Sequence, residues 1–90
     1  MSQINFEPEA RQALMRTYAD DTEESLSNLY DYYFDWLQAD PVDPRARLHP
    51  FSTVDAWIIY VELPGRSERW AIIWTEDKGQ VYVLHVGIWL

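Results

Sequence analysis

Apolar positions along this chain change period twice, and the changes mark its elements. Gln3 to Glu7 alternates polar and apolar, with Ile4 and Phe6 on one side, as a short strand does. From Pro8 the period lengthens: Ala10, Ala13, Leu14 and Thr17 or Tyr18 predict a helix to about Ala19. Pro8 suits its first turn and Glu9 complements its dipole. A second stripe, Leu26, Leu29, Tyr30, Tyr33 and Leu37, widened by Phe34 and Trp36, predicts a helix to about Ala39. Asp21 and Glu24 have capping-box spacing at its start, and Asp40-Pro41 stops it.

After an irregular stretch stiffened by Pro41, Pro44 and Pro50, the period falls to two. Val54 to Leu63 predicts a strand with Trp57, Ile59, Val61 and Leu63 on one face and Ala56, Ile58, Tyr60 and Glu62 on the other. Pro64-Gly65 fits the centre of a type II turn. Arg69 to Thr75 and Gln80 to Trp89 then form a hairpin about Asp77-Lys78-Gly79, with the glycine left-handed. The order is β-α-α-β-β-β in a single domain over residues 1–90. It predicts an α+β fold with two antiparallel helices on one face of a small antiparallel sheet. Both faces of the last three strands are apolar and the helices cover one, so the other is a candidate binding surface.

Composition sharpens this picture. Five Trp, six Tyr and three Phe are more ring surface than a 90-residue core easily hides, which points to an interface. There is no cysteine, hence no disulfide, thiolate metal site or cysteine nucleophile. No apolar run reaches membrane-spanning length, and no basic-then-apolar leader is visible, so a cytoplasmic protein is expected. The net charge of −8 resides between residues 17 and 44, which hold eight acids and no Lys or Arg. Such a surface repels phosphate backbones, so direct nucleic-acid binding is not expected. Asp31 and Asp35 could hold a cation or perform acid–base work, but solvation is the simpler reading. The basic cluster Arg45, Arg47 and His49 is expected to pair with the acidic helix.

Candidate chemistry is sparse. His49 and His85 are the only histidines, and no ligand-spaced motif joins them, so neither metal nor cofactor is expected. His85, placed by alternation on the face of Val83 and Gly87, is the candidate general acid, with Glu68 and Arg69 beside it in the neighbouring hairpin. The alternative is a histidine hydrogen-bonded within a packed sheet. Trp57, Tyr60, Trp70, Trp74, Tyr82 and Trp89 are the pool of partner-binding anchors, about half of them core by alternation.

Three stretches together resemble the RelE/ParE superfamily of small bacterial toxins from toxin–antitoxin pairs. Ile4–Leu14 is similar to the family's first strand and helix, the helix pair ends in Pro-containing sequence, and Trp70–Gly87 is similar to its terminal strand pair. The chain departs from the family at Ala71, where a strand Arg is usual, and at Ile88-Trp89, where His-Arg is usual. The resemblance implies a RelE/ParE-like fold. The departures argue against RelE-type mRNA cleavage, which needs cations to stabilise the transition state. The expectation is a non-enzymatic module that binds a protein, either an antitoxin-like basic chain or a second copy of itself. The alternative is an active toxin, inhibiting gyrase by binding or cleaving mRNA through His85, Arg69 and Arg66.

Overall fold

The computed structural model describes residues 3–51 and 55–89. Its elements are β1 (Ile4–Phe6), α1 (Pro8–Tyr18), α2 (Glu24–Ala39), β2 (Trp57–Glu62), β3 (Arg69–Asp77) and β4 (Gln80–Ile88), with single 3₁₀ turns at Asp21–Glu23 and Pro44–Arg47. Val54, expected to open β2, lies outside the described residues. The cap of the second helical segment is Asp20, one residue earlier than the expected Asp21. Its carboxylate accepts from the Thr22 amide at 3.0 Å and the Thr22 hydroxyl at 2.6 Å, and the 3₁₀ turn precedes α2. Pro64-Gly65 turns as expected: Gly65 has φ +80° and the Arg66 amide donates to the Leu63 carbonyl.

The fold is α+β, but its sheet is mixed rather than antiparallel. The spatial order is β1-β4-β3-β2. β2, β3 and β4 form an antiparallel meander, whereas β1 runs parallel to β4, Ile4 beside Val81 and Phe6 beside Val83. Alternation fixes a strand's faces and says nothing of its neighbour or direction. With both helices between β1 and the meander, β1 returns as a crossover partner, which is how parallel pairs are joined.

Both helices cover one sheet face. Ala10 and Leu14 of α1 and Leu26, Tyr30, Phe34 and Leu37 of α2 pack on Ile59, Val61, Trp70, Ile72, Trp74, Val81, Val83 and Val86. Phe6 meets Phe34 edge to face at 5.1 Å, and Trp57 lies 5.0 Å from Trp74. Trp74 is fully buried, and removing a core ring of that size costs about 3–5 kcal/mol.

One irregularity organises β4. Ile73 pairs with His85 and Trp74 with Val83, leaving Leu84 as the extra residue of a β-bulge. Val83 and Val86, three apart, therefore both reach the helix-side core. His85 is displaced to the opposite face, where its ring lies 5.9 Å from Trp89. This corrects the alternation that placed His85 with Val83; it stays with Gly87, whose α-carbon passes beneath the imidazole.

Candidate functional site

The face of the sheet away from the helices has a buried floor: Ala56 and Ile58 from the β2 side, Ala71 and Ile73 from β3. Four half-buried side chains, Phe51, Tyr60, Leu84 and Trp89, pack against it. Phe51 is brought there by the segment before β2, whose backbone extends the sheet edge. The Phe51 amide donates to Ala56, and the Ile58 amide to His49. Trp89 is placed by its amide, which donates to the Arg69 carbonyl at 2.8 Å, and its ring meets Phe51 at 6.1 Å. His49 meets Tyr60 at 5.1 Å. This face is apolar and helix-free, but narrower than expected, because the His49–Phe51 segment covers part of it.

The six aromatic candidates divide between the faces. Tyr60, Tyr82 and Trp89 lie on the helix-free side and are half-buried. Trp57, Trp70 and Trp74 belong to the helix-side core, where Trp70 and Trp74 are buried. Those two serve packing and are not available as anchors. Phe51 and Leu84 join the helix-free surface unannounced. Phe51 lies in a loop without periodicity, and Leu84 shares its alternation with Val86, from which only the bulge separates it.

The acid–base candidates are not brought together. His85 sits opposite Ile73, four residues along β3 from Arg69, a separation of about 13 Å at strand rise. Arg69 instead lies 4.4 Å over the Tyr60 ring, with its guanidinium 3.8 Å from Glu62. Glu68 pairs at 3.6 Å with Arg66, which also holds Glu23 at 2.9 Å and lies over Trp70. His85 Nε2 is buried without a hydrogen-bond partner among the described residues, so neither a catalytic contact nor the expected sheet hydrogen bond is made at that atom by any of them.

Arg45 and Arg47 are committed too. The basic cluster does not pair with the acidic helix as expected, because closer carboxylates take its charges. Arg45 grips Asp43 at 2.7 Å, its guanidinium 5.5 Å over Trp36. Arg47 donates to the Pro41 carbonyl, lies 3.3 Å from Glu76, and covers Trp57 at 4.2 Å. The Arg45 side chain and amide together hold the Asp43 carboxyl well below the usual carboxylate range, helped by the Trp36 indole. Each of the four arginines from 45 to 69 thus has both a carboxylate and an aromatic ring. Among the described residues no group of three or more His, Asp or Glu is placed to hold a metal, and no helix is long and apolar enough to cross a membrane. No protein-family model matches the chain, and no curated protein is similar enough to it to count as a relative.

Proposed function

We propose that this chain is a protein-binding module of RelE/ParE-like build that engages its partner across the helix-free sheet face, and that it is not a ribonuclease. The observation that carries the reading is that face: a buried floor of Ile58, Ala71 and Ile73 beneath Phe51, Tyr60, Leu84 and Trp89, with no helix over it. Half-buried aromatics on a rigid sheet are the side chains that dominate protein interfaces, since they bury much surface at small entropy cost. The nuclease reading loses support because Arg66 and Arg69 are neutralised by carboxylates and His85 stands apart from both. A phosphoryl-transfer site needs cations aimed at the developing charge.

The test is affinity capture of the tagged full chain from its native cells, in parallel with Trp89→Ala and Tyr60→Ser variants shown by circular dichroism to be folded. The expected result is a stoichiometric partner, or a second copy, that the variants lose. A wild-type chain that remains a lone monomer would overturn the proposal. Inducible expression in a bacterium separates the toxin reading: growth arrest that His85→Ala abolishes would establish the nuclease in its place.

A further inference from the structure

The C-terminal half of α2 carries a second surface, independent of the sheet face. Tyr32, Tyr33, Asp35 and Trp36 line an open cavity of about 530 Å3 together with Arg45. Tyr32 is 64% exposed. Its ring meets Tyr33 edge to face at 5.3 Å, and Tyr33 meets Trp36 at 6.1 Å. The third wall is fixed in place, because the Trp36 indole donates to Asp43 at 3.1 Å and Arg45 stacks on the ring. Tyr32 adds little to the packing of α2, so its ring is surface held ready for something else.

The electrostatics of the cavity name the occupant. Asp35 is exposed and has no cation within 4 Å among the described residues. Asp31, one turn earlier, only accepts the Tyr18 hydroxyl, at 2.5 Å. The last turn of α2 has no basic residue, so the partial negative charge of its carbonyl end is uncompensated. The one positive group at the rim, Arg45, is neutralised by Asp43. Ring faces present negative potential to a cation, and a nearby carboxylate adds to it. One carboxylate without further hard ligands is a poor metal site.

We propose that this surface docks a basic peptide segment of a partner protein, with an arginine or lysine side chain seated among Tyr32, Tyr33 and Trp36 and its charge met by Asp35. A guanidinium suits the site better than an ammonium, because it stacks on rings and forks to a carboxylate at once. Residues 17–44, with net charge −8, attract the rest of the segment.

Two-dimensional NMR of the full chain tests this, titrated with a synthetic decapeptide alternating Arg and Gly and, separately, with its Lys and Glu counterparts. The Arg peptide should shift the Trp36 indole and the Tyr32–Trp36 amides saturably, more tightly than the Lys peptide, while the Glu peptide does nothing. Tyr32→Ala and Asp35→Asn should each weaken binding about two- to fivefold. Asp21→Asn, which removes the same charge at the far end of the acidic segment, should weaken binding clearly less than Asp35→Asn. Equal losses for Asp21→Asn and Asp35→Asn would overturn the proposal in favour of diffuse attraction, as would the absence of shifts at Tyr32–Trp36. Trp89→Ala should leave peptide affinity intact, and its loss in that variant would overturn the α2 site without touching the sheet-face proposal.

Discussion

Two buried ring nitrogens, Trp74 Nε1 and His85 Nε2, have no hydrogen-bond partner among the described residues. An unmade bond at a buried donor or acceptor costs roughly 1–3 kcal/mol. His85→Phe keeps the ring contact with Trp89 and removes that cost, so its unfolding free energy from urea denaturation is expected to hold or to rise, by up to about 1 kcal/mol. A drop of more than that would show that the imidazole nitrogens do structural work. Titrating residues act in the opposite sense at the two ends of the pH scale. Asp43 is held below its ordinary range by Arg45, so its contribution is complete above about pH 4 and is lost as pH falls further. Asp43→Asn should therefore flatten the acid limb of the stability curve. Burial pushes the Tyr30 phenol up, with the charge of Glu23 adding to it. Its contribution is complete below about pH 10 and is lost as pH rises past that point, and Tyr30→Phe should blunt alkaline unfolding.

At the scale of elements, the turns were legible because their chemistry is local. Gly65 and Gly79 both have φ +80°, the conformation each turn demands, and Lys78 joins Gly79 at φ 53°. Two successive positive φ values make a two-residue turn that favours Asn-Gly. Lys78→Asn should raise stability by about 0.5 kcal/mol, whereas Gly65→Ala should lower it by about 1 kcal/mol or more. A thermal melt reads both. The helix faces were legible for the same reason, Leu26, Tyr30, Phe34 and Leu37 recurring along one stripe. The bulge was not: Val83-Leu84-His85-Val86 contains neither Gly nor a turn residue, and strict alternation runs straight through it. It is tertiary packing, Val83 and Val86 both drawn to the helices, that makes Leu84 the surplus residue. Deleting Leu84 leaves a continuous ladder and should cost less than about 2 kcal/mol. Deleting Tyr82 turns its neighbours to the wrong face and should unfold the chain.

The whole molecule explains why the candidate site was half visible. Alternation placed Trp57 with Ile59 and Val61, but which face the helices cover, and which segment reaches the other, are long-range outcomes. Phe51 reaches the sheet face because the backbone of His49 and Phe51 bonds to Ile58 of β2 and to Ala56 just before it, a pairing with no local signature. Charge behaved similarly. The acidic run was plain in the sequence, yet Arg45 and Arg47, expected to pair with the acidic helix, found Asp43 beyond its end and Glu76 of β3 instead. That leaves the α2 surface with an unanswered field, which steers a basic partner and weakens with salt.

The parallel pairing of β1 with β4 has a consequence for the chain's biogenesis. Ile4 waits for Val81, and the helix-side core waits for Val81, Val83 and Val86. During translation the apolar stripes of both helices emerge well before the strands that bury them, so the nascent chain must be shielded or stay loosely collapsed until β4 is made. Contacts of such long range also slow the final closure. The domain is wired to fold late, only once β4 has been made.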